Sequence, residues 1–413
     1  MGRRTLRRNI RELSPHAWVL IAGSFINRFG SFVVPFLVLY LRQKGFSITD
    51  SGVALAAYGG GELIASPVGG YLADRVGRRW TITLSMYSSA GAMIALSQVR
   101  TYAAILTLAF LAGLVSEARR PASLALLTDL VPEGQRVTVF AVLRLAENLA
   151  FAAGVALGGF LANASFLWLF IGDAASSVVY GTVALLALPE GTRASRTEER
   201  ERGGGYRSAL ANHTFILFMV ASVLLFFVYF QQQASLPLYV RKNGLTNADF
   251  GLLLSLNGVI VLLFELPISA ITMRHPKKLM IALGFLLVGL GFGLTGLAHG
   301  IVFLGFTVAI WTLGEIVAAP VSYAYVADLA PPHLRGHYQG LYGLCFGFAA
   351  IAGPAGGTLL YAHAEKGFWA LCGALGLVSA VVALGVRAPT GKGRHRVGVA
   401  HTWPPPPSGS PFG

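Results

Sequence analysis

The chain alternates long apolar runs with short polar breaks, and run length is the first thing that decides its class. A helix that crosses a bilayer needs roughly 20 apolar residues. Twelve runs reach that length, at about 17–41, 50–72, 80–98, 102–127, 137–161, 166–188, 213–240, 247–271, 279–298, 301–326, 337–361 and 367–387. The pattern predicts an all-α membrane protein with twelve transmembrane helices, numbered here spans 1 to 12.

One polar stretch is long. Residues 189–212 include Glu-Arg-Glu-Arg-Gly-Gly-Gly, which cannot build a core and reads as a flexible linker. It divides the chain into a basic N-terminus (1–16), a six-helix bundle (17–188), the linker (189–212), a second six-helix bundle (213–387) and a proline-rich tail (388–413) expected to be disordered. The first apolar run is too long for a cleaved signal core, so it reads as a spanning helix.

The halves are copies. A constant offset of 199 lays Leu39-Tyr40-x-Arg42 on Leu238-Tyr239-x-Arg241, Asp50 on Asp249 and Arg75 on Arg274. It also lays Pro121 on Pro320, Asp129 on Asp328, Arg136 on Arg335 and Gly158 on Gly357. Such a duplication implies two pseudo-symmetric bundles facing each other across a central cavity.

Composition agrees. Only 12% of the 413 residues are charged and 54% are hydrophobic, whereas a soluble protein carries about 25% charged residues. The 50 glycines suit closely packed membrane helices. A net charge of +14 raises nucleic acid as a partner, but the basic residues sit at the ends of apolar runs rather than on a soluble domain, which excludes it. Of the 32 Lys and Arg, 22 fall in segments on one side of the expected topology and 6 on the other. Basic residues stay inside, so both termini and the linker are expected in the cytoplasm. Cys345 and Cys372 lie within apolar runs and read as packing residues. The sequence has no phosphate loop, zinc spacing or nucleophile elbow, so neither an enzyme nor an ATP-driven motor is expected, and no cofactor or metal.

The turn between spans 2 and 3 carries the most specific signal. Gly70-Tyr71-Leu72-Ala73-Asp74-Arg75-Val76-Gly77-Arg78-Arg79 resembles the loop signature of the major facilitator superfamily at every consensus position. With the duplication, the resemblance covers nearly all of residues 17–387. It implies a secondary transporter that alternates access around a central cavity. It also implies a gating latch of Gly70, Asp74, Arg75, Gly77, Arg78, Arg79 and Asp129 at the inner face, with the start of span 11 near His337 as the partner of Asp74. The second copy, Met273-Arg274-His275-Pro276-Lys277-Lys278, loses the Asp and the Gly, so only the first loop is expected to form the full latch. Gly353-Pro354-x-Gly356-Gly357 resembles the antiporter signature, although it lies on span 11 and Val155 stands where span 5 would carry its proline. Asn27-Arg28-Phe29 resembles part of an element of proton-coupled peptide transporters, without its glutamates.

A charge at membrane depth costs roughly 2.5–3.5 kcal/mol on insertion scales, so each needs a reason. Ten are embedded: Arg28, Arg119, Arg120 and Arg144, all in the first half, with Glu62, Glu117, Glu147, Asp173, Glu265 and Glu315. Arg144 shares a helical face with Glu147 and Asn148, and Glu117 with Arg120, so each set reads either as a local ion pair or as part of a polar cluster lining the cavity of the first half. Arg28 and Glu62 lie at similar depth and could pair. Asp173 and Glu265 lie nearer the membrane faces and read as structural. Glu315 has no embedded base in its own half. It is the first candidate for a proton carrier, ahead of Glu62, Glu147 and Glu117, and Arg144 could approach it across the cavity. Substrate contacts are expected from Asn27, Asn148, Tyr229, Gln231, Gln232, Asn257, Trp311 and Tyr323. The expected partners are a small molecule, protons and the lipid bilayer, with the chain acting as a monomer in the plasma membrane. Proton-driven efflux of amphipathic or cationic compounds, as in the drug-efflux branch, is the leading expectation. The alternatives on the same fold are an importer of a sugar or peptide, and a lipid translocator or receptor.

Overall fold

The computed structural model describes residues 13–190 and 204–385. The first twelve residues, 191–203 of the linker and the tail from 386 lie outside the described residues, and with them the expected disorder of the tail.

Among the described residues there are no strands, and the expected runs are helical. Spans 1 to 6 are Pro15–Gln43, Ile48–Arg75, Arg78–Gln98, Tyr102–Leu130, Arg136–Ala164 and Phe166–Ala187. Spans 7 to 12 are His213–Lys242, Asn247–Thr272, Lys277–Thr295, Gly300–Leu329, Pro332–Glu365 and Gly367–Gly385. Ten are long and apolar enough to cross a membrane by length and composition. Spans 2 and 3 are long enough but more polar, because span 3 carries Thr81, Thr83, Ser85, Ser88 and Ser89 and span 2 ends in Asp74 and Arg75. Large apolar side chains such as Leu266, Met273 and Val302 stay exposed, as a surface bathed in lipid tails requires.

The offset of 199 governs local structure as well as sequence. Ser47 and Asp50 form a capping box at the start of span 2, and Thr246 and Asp249 form its copy at span 8. Before each box the chain turns at a glycine with positive φ, Gly45 at 93° and Gly244 at 76°. In each turn an arginine returns to the backbone, Arg42 to Phe46 O and Arg241 to Leu245 O.

Three spans are broken. Span 1 stops at Gly30 and restarts at Val33, whose amide donates to the buried Asp173 carboxylate at 3.4 Å. Span 7 passes through a 3-10 turn at Phe230–Gln232 before Leu236–Lys242. Span 4 breaks at Ala118, where Pro121 has no N–H to offer the carbonyl of Glu117.

The two bundles meet along two seams. Span 5 packs on span 8 and span 2 on span 11. A Cβ built on Gly159 would lie 2.7 Å from Asn247 O and 3.1 Å from Gly251 Cα; one on Gly59 would lie 2.6 Å from Ala350 O. Here backbone touches backbone. Phe36 and Phe250 close the same end edge to face, 5.3 Å between ring centroids. The second seam runs from Gly52 against Thr358 to Leu63 against Gly347 and then stops: Cβ atoms on Gly70, Gly336, Gly340 or Gly343 would meet nothing within 4 Å. The cleft between the bundles therefore opens toward the face that carries the Gly77 and Pro276 loops.

Candidate functional site

In the second half, three helices converge on Glu315 of span 10. The Tyr229 hydroxyl, at the break in span 7, donates to one carboxylate oxygen at 3.1 Å, and the Asn257 amide of span 8 donates to the other at 3.1 Å. Asn257 also donates to Thr312 at 3.0 Å. Trp311 is buried behind, edge-on to Tyr229 and stacked on Phe292. The carboxylate expected to be unpaired is thus held by two neutral donors. The offset gives the first-half equivalents of Asn257 and Glu315 as Tyr58 and Ser116, which are hydrogen-bonded to each other at 3.0 Å. The same inter-helix contact exists twice, neutral in one bundle and charged in the other.

The first-half wall carries the arginines. Glu117 and Arg120 pair locally, at 4.0 Å. Glu62 lies within electrostatic reach of Glu117, Arg28 and Arg120. Arg28 and Glu62 form no ion pair; the guanidinium carbon instead sits 5.0 Å over the Phe151 ring. Arg144 departs from expectation more sharply. It pairs not with Glu147 on its own face but with Glu265 of span 8, across the cleft. Glu265, read from its depth as structural, is therefore an inter-bundle contact. The signal available was the charge imbalance: the second half embeds carboxylates and no base, so a partner had to come from the other bundle. Glu147 and Asn148 lie half-buried beside this pair on span 5.

Several expected substrate contacts are occupied elsewhere. Gln231 is fully buried; its amide donates to Phe227 O at 2.8 Å and Gly353 O at 3.0 Å and accepts from Ser235. It ties span 7 to span 11. Gln232 is buried as well. Asn27 donates to Ser177 at 3.3 Å between spans 1 and 6. Tyr323 is exposed, and its ring meets Tyr342 edge to face. Tyr229, Asn257 and Trp311 are the members of the expected set that gather at Glu315.

At the loop face, Gly77 turns the chain with φ 103°, a conformation that side chains with a Cβ rarely adopt. Arg78 bonds Asp129 and donates to Ala125 O at 2.9 Å. Arg79 reaches Glu190 at 3.0 Å, and Arg75 stacks over Tyr71. Gly70 borders open space. Asp74 is exposed and has no hydrogen bond or ion pair among the described residues; the His337 ring packs on Tyr206 of the short helix Gly204–Leu210 instead. The latch charges thus lie within one bundle while the cleft is open on this side. The second loop has kept more than expected, because Lys277 and Asp328 pair at 2.5 Å at the positions of Arg78 and Asp129.

A repeat of six-helix bundles around a cleft, with charges on its walls and a basic Gly-hinged turn at its mouth, defines a polytopic secondary transporter. Residues 20–246 and 233–406 match the Major Facilitator Superfamily, and the chain belongs to it. Among curated proteins it is similar to the uncharacterized MFS-type transporter YqjV of Bacillus subtilis (strain 168), 27% identical over 342 residues, 81% of this chain and 83% of that one. It is also similar to the Na(+), Li(+), K(+)/H(+) antiporter of Planococcus maritimus, 26% identical over 81% of this chain and 87% of that one. A third relative is the multidrug resistance protein MdtH of Aeromonas salmonicida (strain A449), 26% identical over 85% and 89%. The fold matches the nucleoside transporter NupG with a TM-score of 0.81 at 16% identity, covering 90% of this chain and 99% of that one. The protein is a multi-pass membrane transporter and not an enzyme.

Proposed function

We propose that the protein exports amphipathic or cationic small molecules from the cytoplasm in exchange for protons, with Glu315 as the proton carrier. The observation that carries this reading is the paired contact between spans 2 and 4 and between spans 8 and 10. Where the first bundle has the neutral Tyr58–Ser116 hydrogen bond, the second has placed a carboxylate beside the cleft, without a base of its own. Two donors favour its charged form, but with no base in contact in a low-dielectric site that charge stays costly, so the carboxylate can take up a proton or release it to a cationic cargo. Arg144, on Glu265 in this state, lies within electrostatic reach of Glu315 and can stabilise it as the bundles rock. In this reading the loop face is cytoplasmic, both termini and the linker lie there, and the cleft described above is inward-facing. Two relatives carry names consistent with it, a multidrug resistance protein and a cation/proton antiporter.

Inside-out vesicles test the reading. An acidic lumen should drive accumulation of ethidium, a permanent cation. Glu315→Gln, which mimics the protonated form, should abolish that accumulation and retain counterflow exchange of preloaded dye. Uphill transport in Glu315→Gln with unchanged pH dependence would move the proton site to Glu62 or Glu147.

A further inference from the structure

Two embedded bases lack an ion pair among the described residues: Arg119, buried inside the first bundle over the Tyr180 ring, and Arg28, which is exposed. Arg144 has Glu265 and Arg120 has Glu117. Arg28 has neither an ion pair nor a hydrogen bond among the described residues, and its side chain is exposed. It lies 13 residues beyond Pro15, the start of span 1, roughly 20 Å along the helix at 1.5 Å per residue. A guanidinium keeps its charge at any such depth. Nor is it inherited from the duplication, since the offset places the apolar Phe227 at the equivalent position.

What surrounds Arg28 fixes which side of the helix it serves. Its guanidinium rests on Phe151 of span 5. Tyr229 of span 7 and Glu62 of span 2 both lie within its electrostatic reach. Span 7 belongs to the other bundle, so Arg28 faces the cleft rather than lipid. Tyr229 is also the hydroxyl that holds Glu315. A positive charge from one bundle and a carboxylate from the other thus flank a single tyrosine, with the Phe151 ring beside them. Glu62 tempers the positive wall without neutralising it by contact.

We propose that the cleft selects amphipathic zwitterions, an anionic group of the cargo docking on Arg28 and its cationic group facing Glu315, with an aromatic body between Phe151 and Tyr229. This rests on the export reading for the role of the Glu315 wall, but the Arg28 subsite makes a separate claim about binding. A carboxylate on an arginine is a charge-assisted hydrogen bond, stronger than a neutral one and bidentate when the geometry allows. A guanidinium at this point repels a cation and attracts an anion, so it favours cargo that brings an anionic group as well.

The test uses purified protein at a fixed pH, without any gradient, so that it reads binding alone. Rhodamine B carries a carboxylate as well as its cationic xanthene; its ethyl ester keeps the cation and the ring system and loses the carboxylate. Wild-type protein should bind rhodamine B about tenfold more tightly than the ester by fluorescence anisotropy, equivalent to about 1.4 kcal/mol. Arg28→Gln should erase that preference by weakening rhodamine B binding alone, and Arg28→Lys should restore part of it. Equal wild-type binding of the two dyes, or equal weakening of both in Arg28→Gln, would overturn the subsite. If the preference holds while Glu315→Gln still pumps uphill in vesicles, the subsite stands and the proton assignment fails.

Discussion

The two bundles descend from one pattern, and they differ most where they face the cleft. At their outer turns they are nearly interchangeable: capping boxes, positive-φ glycines and arginine returns repeat at the same offset. At the loop face both keep a base–carboxylate pair, but not equally. Side-chain exposure is 14% and 26% for Arg78 and Asp129, against 41% and 58% for Lys277 and Asp328. At the cleft the copies part company, Tyr58–Ser116 against Asn257–Glu315, and Arg28 on the Phe151 ring against the apolar Phe227. Symmetry is kept where the two halves must move alike. It is broken where they must hold different charges.

The largest effect on proton coupling should come from restoring the symmetry at the cleft. Glu315→Ser makes the second contact resemble the first, and proton-driven accumulation in vesicles should fall at least ~100-fold, a transition-state change of about 2.7 kcal/mol. The matching change Ser116→Ala removes a neutral hydrogen bond worth about 1 kcal/mol and should leave accumulation within a factor of two. Similar losses in both variants would mean that the bundles contribute alike and that the carboxylate is only structural.

Next come the loops. Gly77→Val forces a β-branched residue into φ 103°, whereas the equivalent Pro276 sits at −57° and tolerates a side chain. Transport by Gly77→Val should fall about tenfold or more through strain of a few kcal/mol, with Pro276→Ala nearly silent. Asp74→Asn should abolish transport while folded protein persists, because the latch is expected to engage Asp74 once the cleft closes on the loop face. Normal rates in Asp74→Asn would sink the latch.

The smallest effect sharpens the comparison of the ion pairs. Asp129→Asn breaks the more buried pair and should cost 1–2 kcal/mol of thermal stability, whereas Asp328→Asn breaks an exposed pair worth about 0–1 kcal/mol. Equal melting shifts would show that the difference in burial carries no energetic weight.

The fold was legible because membrane insertion leaves few options: apolar run length fixes the helices, and one offset fixes their arrangement. The Glu315 contact is not among the sequence expectations, which leave that carboxylate unpaired; the offset relates it to Tyr58–Ser116 only once the structure shows both. What escaped were contacts that depend on how the bundles meet. Periodicity placed Arg144 beside Glu147 because it sees only neighbours on one helix; the cross-cleft partner Glu265 is 121 residues away. Gln231, expected at the substrate, is held between spans 7 and 11 by contacts of the same long-range kind. A polar side chain near the membrane centre looks available for a ligand, until backbone carbonyls claim it, as Phe227 O at the span 7 break and Gly353 O of span 11 do here.

The seams at the closed end carry a consequence for speed. Gly159 meets Gly251 and Asn247 by backbone, and Gly59 meets Ala350 in the same way. An interface of that kind has few rotamers to freeze on closing and few to release on opening, whereas a long side chain would lose up to about 2 kcal/mol of rotamer freedom each time. Parting such surfaces is closer to lifting one smooth plate from another than to undoing a zip. Such a seam can part and meet again without interlocked side chains to sort, so little of the barrier to opening would lie in the contact itself.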